Sequence, residues 1–288
     1  MQSFTDNTPD VITSRDNAKL KFAKRVREGK EPEVIFVEGT RAVVEALRSK
    51  VSVRQIFASS SFSSRTEQGD LGGEIAASGA EVAVVTDKLF DALADTANPQ
   101  GILLIAERPV AGRKLLEDAL LRPKGIPVVV YLHEINNPSN LGALVRTAEA
   151  AGAVGVATSV RSADAFSPSA IRGSMGSALR LPVWQNASIP EIFDWAEERR
   201  LTTTAAAVEG TVPYYELDWH TPRLLVFGSE AHGLPREGRE RIGNTIRIPM
   251  QPGIESLNLA VAAGVILFEA RKQVTVVGPV KRSQRRSC

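Results

Sequence analysis

The apolar run Leu257, Leu259, Val261, Val265, Ile266, Leu267 and Phe268, interleaved with alanines, is the feature that most restricts the fold. At helical spacing these positions go nearly all round the axis. A helix over 257–272 must therefore be buried on several sides, by its own domain and by a second subunit. The segment before it, from Ile248 to Asn258, carries Pro249, Pro252 and Gly253, which forbid a regular element and make a rigid loop. Glu255 or Ser256 is the expected helix cap. Ser256 and Asn258 set polar groups at the helix mouth, where a stiff loop can also offer backbone groups to a ligand.

Upstream, short apolar runs alternate with helical patterns. A basic amphipathic helix is expected from Ser14 to Gly29, with Leu20, Ala23 and Val26 on one side and Gly29 as its stop. Strands at 34–38, 53–58, 81–85 and 102–106 and helices at 41–47, 71–78 and 88–93 make a first α/β unit. The serine-rich stretch 59–69 reads as a mobile loop. Arg108-Pro-Val-Ala-Gly112 breaks the pattern, and a helix at 113–121 follows. Ile126 to Leu132 is apolar enough for a buried central strand. After it come helix 140–151, strand 154–158, a polar segment 161–177, strand 181–183, helix 190–199, strands 202–207 and 224–227, a short helix near 235–241 and strand 245–248. The expected division is a disordered 1–13, a domain at 14–107, a linker at 108–122, a second domain at 123–275 and a basic tail at 276–288. Alternation of this kind predicts a mostly parallel sheet covered on both faces, with ligands beyond the carboxyl ends of its strands.

The net charge of +2 hides an uneven distribution. Segment 15–30 sets seven cations against Asp16 and Glu28, a net +5, and 281–288 adds +4. Basic segments at both ends suit a polyanion such as RNA, with Arg15, Lys19, Lys21 and Arg25 as the expected contacts. Aromatic residues are few, so phosphate and shape contacts would outweigh base stacking. No run spans a membrane, the polar N-terminus is not a signal peptide, and a cytoplasmic location is expected. A single cysteine, Cys288, and three dispersed histidines give no metal-ligand spacing, so no metal is expected.

Three loops that follow strands carry the chemistry. The first, His133 to Thr147, has turn residues Asn136-Asn-Pro-Ser139, a helix capped by Ser139 or Asn140, and Gly142 where a ligand or backbone comes close. Asn140 and Arg146 would both lie near the anion-friendly N-terminal end only if Asn140 precedes the helix. The second, Phe227-Gly-Ser-Glu-Ala-His-Gly-Leu234, has a Gly-x-x-x-x-Gly frame followed by Leu234 and not Lys, so it is not a P-loop. Its Glu230 and His232 suit acid–base work or a plain exposed loop pair. The third is the loop 248–258. A Gly-x-Gly-x-x-Gly fingerprint is absent. Arg172-Gly-Ser-Met-Gly176 is only a near miss to a hydrolase elbow.

In this order and spacing the three loops resemble the motifs of the SpoU/TrmH family of RNA ribose 2′-O-methyltransferases, in the SPOUT class, over about 126–273. Asn140-Leu-Gly-Ala with Arg146-Thr-Ala is similar to motif one, Gly228-x-Glu230-x-x-Gly233-Leu to motif two, and Ile248-Pro-Met with Ser256-Leu-Asn258 to motif three. Ser14-Arg-Asp-Asn17, Lys21 and Val37-Glu-Gly39 also resemble the ribosomal-protein-like substrate-binding domain that precedes many ribosomal-RNA members. The resemblance implies a C-terminal α/β domain with a deep trefoil knot, preceded by a smaller α/β RNA-binding domain, in a homodimer whose site draws on both subunits. It implies S-adenosylmethionine held by Phe227, Gly228, Gly233, Ile248, Met250, Ser256 and Leu257. It further implies Asn140, Arg146, Glu230, Ser256 and Asn258 as the catalytic and substrate-orienting set. Asn137 and His133 stand where many members have Asp. Ribosomal RNA is the favoured substrate; a tRNA methyltransferase, a non-catalytic RNA-binding or ribosome-assembly protein and an unrelated small-molecule enzyme are the alternatives, separated by cofactor binding and by the RNA methylated.

Overall fold

A computed structural model describes residues 11–64, 69–229 and 232–276. Residues 1–10, Glu230 and all of the basic stretch 281–288 lie outside them. The chain runs α1 (Ala18–Arg27), β1 (Val34–Glu38), α2 (Thr40–Arg48), β2 (Val53–Ser59), α3 (Ser60–Ser63), α4 (Gly69–Ser78), β3 (Val82–Val85), α5 (Asp87–Leu93) and β4 (Ile102–Glu107). It continues through α6 (Arg113–Leu120), β5 (Val128–Leu132), α7 (Pro138–Ala151), β6 (Gly155–Thr158), α8 (Pro168–Ser174) and a 3-10 turn (Ser177–Leu179). The last part is β7 (Val183–Trp184), α9 (Ile189–Glu198), β8 (Thr202–Ala206), β9 (Val212–Pro213), β10 (Arg223–Phe227), α10 (Arg236–Arg239), β11 (Asn244–Arg247) and α11 (Leu259–Val276). Two compact units result. One joins residues up to 110 with 137–146 and 163–180; the other joins 111–136, 147–162 and everything from 181.

The first unit is built on a mixed sheet ordered β1-β4-β2-β3. Helix α1 buries Leu20, Ala23 and Val26, the apolar side expected of it, with Phe36, Phe57, Phe90 and Leu103 in the same core. Asn17 caps it, its side chain accepting from Lys19 N. Disorder was expected to residue 13, yet Ile12 already bridges Val85. The expected loop at 59–69 contains α3, and the polar segment 161–177 contains α8, which Ser167 caps and Pro168 opens. Helix α7 starts at Pro138, so neither Ser139 nor Asn140 is its cap. Asn137 Oδ1 accepts from Ser139 N (2.9 Å) and Asn140 N (3.2 Å) instead. Where α7 meets α8 the backbones touch: a Cβ on Gly142 would stand 2.4 Å from the Ala170 carbonyl oxygen and 2.8 Å from Ser174 N.

Part of the positive charge on and around α1 is paired with acids of the same unit, of which Glu31 and Glu81 lie outside the basic segment. Lys19 pairs with Glu81 (2.7 Å), Lys21 with Asp16 (2.8 Å), Arg25 with Glu31 (2.7 Å) and Lys30 with Glu28 (2.6 Å). Arg27 donates to the carbonyls of Ala92, Leu93 and Ala94 and so closes the end of α5.

The second unit holds a seven-stranded sheet ordered β7-β6-β5-β10-β8-β11-β9, parallel throughout. Every residue of β5 and β10 is buried, so both faces of the sheet centre are covered. Helices α6 and α9 supply one cover, placing Leu116, Phe193 and Trp195 against Val129, Tyr131, Leu224 and Val226. The two-residue β9 was not expected. On the outer side of α6, Glu117 accepts from Arg113 (2.8 Å) and pairs with Arg199 (2.9 Å).

Two outcomes follow from these contacts. Gly142→Ala has only backbone to displace and should cost about 1–3 kcal/mol, seen as a lower denaturation midpoint; an unchanged midpoint would mean that α7 and α8 can part freely. The Arg113 and Arg199 hydrogen bonds hold the Glu117 carboxyl down at about 2, below its ordinary 4.5. Its stabilisation is therefore full above 4.5 and is lost as pH falls toward 2. Arg199→Gln should raise the Glu117 titration midpoint measured by carbon NMR and weaken the acid dependence of stability.

Candidate active site

A cavity of about 770 Å³ opens at the carboxyl ends of β8, β10 and β11. Its walls come from Ala205–Val208 after β8, from the loop after β10, from the loop after β11 and from the first turns of α11. The location is the one expected for a parallel sheet, and the size lies within the range of small-molecule sites. Phe227, Gly228, Gly233, Ile248, Met250, Ser256 and Leu257 all line it, and so do Asn258 and His232.

The loop after β10 is folded onto itself. Ser229 and Gly233 exchange backbone hydrogen bonds of 3.1 and 2.9 Å, and Ser229 Oγ accepts from His232 N (3.0 Å). A Cβ on Gly228 would lie 2.5 Å from Gly233 C and 2.8 Å from Leu234 N, while Gly233 itself sits at φ +62°. Glycine is thus required at 228 by space and at 233 by backbone conformation. Glu230 lies inside this loop and outside the described residues.

Asn258, not Glu255 or Ser256, caps α11: its Oδ1 accepts from Ala260 N (3.0 Å) and Val261 N (3.3 Å). With that oxygen committed, the side-chain amide NH₂ is the group left to face a ligand. Residues 251–258 are exposed. On α11, Ala263, Ile266, Leu267 and Ala270 are buried, whereas Val261 and Phe268 remain 53% and 50% exposed.

Asn140 and Arg146 belong to the other compact unit. Because α7 begins at Pro138, Asn140 is inside the helix, and the condition for both residues to gather at its N-terminal end is not met. Six residues of helix separate them by about 9 Å along the axis and about 240° around it. Asn140 is half-buried and Arg146 exposed.

His133 ends β5, with its backbone N donating to Phe227 O (2.9 Å). The ring is 7% exposed and its Nδ1 has no partner among the described residues. Burial pushes its pKa down; the Glu134 carboxylate opposes that shift and Arg161 adds to it. The imidazole is therefore neutral at neutral pH, and Glu134 is paired with Arg161.

Several lining residues were not read from the sequence: Ala205, Ala206, Ala207, Arg239, Thr245 and Ile266. Three consecutive alanines at a strand's carboxyl end were the available signal, since small side chains there leave room.

The family description SpoU rRNA Methylase matches residues 127–268, and RNA 2′-O ribose methyltransferase substrate binding matches 36–110. The chain is 32% identical to the 23S rRNA (guanosine-2′-O-)-methyltransferase RlmB of Pseudomonas syringae pv. tomato over 175 residues, 60% of this chain and 70% of that protein. The AdoMet-bound rRNA methyltransferase from Sinorhizobium meliloti superposes with a TM-score of 0.75 at 28% identity, covering 92% of this chain and 98% of that one. The SpoU methyltransferase AviRb from Streptomyces viridochromogenes, in complex with AdoMet, gives 0.75 at 26%, covering 89% and 98%.

Asn258→Ala should remove the α11 cap and cost about 1 kcal/mol. Asn258→Asp, which keeps the acceptor, should restore most of that stability in thermal denaturation while losing the side-chain donor. Equal melting of the two variants would show that the cap contributes nothing.

Proposed function

This chain belongs to the SpoU rRNA methylase family, and from that premise we propose that it transfers the methyl group of S-adenosylmethionine to a ribose 2′-hydroxyl of 23S-type ribosomal RNA. The observation that carries this reading is the cavity at the ends of β8, β10 and β11, which gathers residues of two separate motif loops. The match of 36–110 to a substrate-binding description supports RNA as the acceptor.

The cavity residues fit the cofactor. Backbone groups of the tight loop at Gly228 and Gly233 would hold it, Phe227, Ile248, Met250 and Leu257 would offer apolar contact to an adenine, and Ser256 would add a hydroxyl. When bound, S-adenosylmethionine supplies an electrophilic methyl carbon on a sulfonium. The protein's remaining work is to orient the ribose hydroxyl and manage its proton. Arg146 is a poor base, since a guanidinium offers five donors and no acceptor. Its role is to clamp the target nucleotide's phosphate and stabilise the developing alkoxide. Asn140 orients the hydroxyl, Glu230 fixes its loop, and the Ser256 hydroxyl and Asn258 amide complete the polar set.

The remaining assignments belong to the same reading. The insertion of β10 between β5 and β8 supports a trefoil-knotted C-terminal domain. Val261, Val265 and Phe268 share one helical stripe, exposed or half-exposed, which suits a homodimer seam. Residues 14–107 bind substrate through Arg15, Lys19, Lys21 and Arg25, with 108–122 as linker and 123–275 as the methyltransferase domain. The ion pairs along α1 must then be exchanged for phosphates. No helix among the described residues is long and apolar enough to cross a membrane, and the cytoplasm is the proposed location.

Methyl transfer from labelled S-adenosylmethionine to ribosomal RNA and tRNA in parallel tests the reading. Label in one ribosomal-RNA ribose is expected; label in tRNA alone would overturn the substrate, and no cofactor binding would overturn the enzyme. Arg146→Ala should lower kcat about a hundredfold or more. Full rate in Arg146→Lys with unchanged RNA affinity would rule out a bidentate clamp.

A further inference from the structure

Two sequence motifs find no use in the cavity: Val37-Glu38-Gly39 and Arg172-Gly-Ser-Met-Gly176. Both belong to the first unit, and a chain of short contacts joins them. Glu38, 3% exposed at the end of β1, accepts from Asp95 N (2.7 Å), from Thr96 N (3.3 Å) and from the Thr96 hydroxyl. A buried carboxylate with three donors has little freedom, so the turn at 95–96 is fixed to the sheet. Asp95 in turn presents Oδ2 at 2.9 Å from Nη1 of Arg172, in the middle of α8. Both side chains are about two-thirds buried, and Nη1 makes no aligned hydrogen bond, so the contact is an ion pair.

From Arg172 the path continues through backbone. A Cβ on the next residue, Gly173, would lie 2.9 Å from Ser139 O and 3.4 Å from Gly142 Cα. One turn earlier, Ser169 Oγ meets Ser139 Oγ at 3.0 Å. Helix α8 also packs on β1, and the turn that follows it is held by Arg180 to Glu45 of α2 (2.8 Å). The first turns of α7 are thereby pinned to the substrate-binding sheet at every step, with no flexible link between them. Those turns carry Asn140, and Arg146 follows on the same helix.

We infer that Arg172, held by Asp95, is a positioning residue that fixes α7 to the substrate-binding sheet, so that RNA captured on the sheet meets Asn140 and Arg146 in register. This rests on the methyltransferase reading above. A pair that only stabilised the fold would change melting temperature and leave turnover per folded molecule alone. A pair that positions α7 changes kcat while cofactor and RNA still bind.

The test compares the full chain with Arg172→Gln, Asp95→Asn and the exchanged pair Asp95→Arg with Arg172→Asp, on ribosomal RNA with saturating S-adenosylmethionine. Each single variant should lower kcat about tenfold, equivalent to some 1.4 kcal/mol of barrier, with the cofactor KM unchanged and RNA affinity altered less than about twofold, while the exchanged pair recovers most of the rate. Hydrogen exchange gives a readout independent of turnover: RNA should add protection at amides 139–146 in the unaltered chain and add none in Arg172→Gln. Unchanged kcat in folded single variants, or added protection of 139–146 that persists in Arg172→Gln, overturns the inference. Failure of the unaltered chain to methylate any RNA would instead overturn the functional reading beneath it.

Discussion

Strand β10 must have its backbone satisfied on both edges, and the rest of the second unit follows from that. Its five residues pair in parallel with β5 on one side, and four of them, Arg223 to Val226, with β8 on the other. A strand so enclosed has no water to fall back on, so its neighbours are fixed before any loop is placed. Even its buried first residue is settled by the same rule. The Arg223 guanidinium donates to Asp218 O (2.8 Å) and Thr204 Oγ1 (3.1 Å) and lies 5.9 Å from the Trp219 ring. With β5, β10, β8 and β11 in register, the carboxyl ends of three strands arrive at one place, and the cavity is the space their loops leave.

The chemistry divides unequally between the two units. The residues that line the cavity all belong to the second. The polar residues of motif one ride on α7, whose first turns belong with the substrate-binding sheet. Within each unit the stiffness is local: backbone-to-backbone approach at Gly142 and Gly173, with the Arg172–Asp95 pair beside it, in the first, and the closed loop at Gly228 and Gly233 in the second.

Most elements were legible because their apolar spacing is local. The apolar side of α1, the buried β5 and the alternation that gives a parallel sheet all follow from residues within one turn or one strand of each other. What escaped depends on distance. Glu81 neutralises Lys19 from 62 positions away, so a count of charges along 15–30 overstated the field there. Helix α8 was read as polar loop because Ser167-Pro-Ser-Ala has few apolar residues, although a serine cap followed by proline marks a helix start. Both caps near the site were misplaced by two or three residues: Asn137 and Asn258 act where Ser139, Asn140, Glu255 or Ser256 were expected. The seven residues expected to hold a cofactor all line the cavity, whereas Ala205–Ala207 were not read, because they contribute room and no chemistry.

Asn258 holds two posts at once, closing the first turn of α11 with its oxygen and forming part of the cavity wall. Fraying of that helix end is thereby written into the shape of the site. Each opening of the first turn takes Asn258 away from the wall. A substitution that tightened the turn from its far side, touching neither ligand nor cavity, would lengthen the interval in which the site is complete.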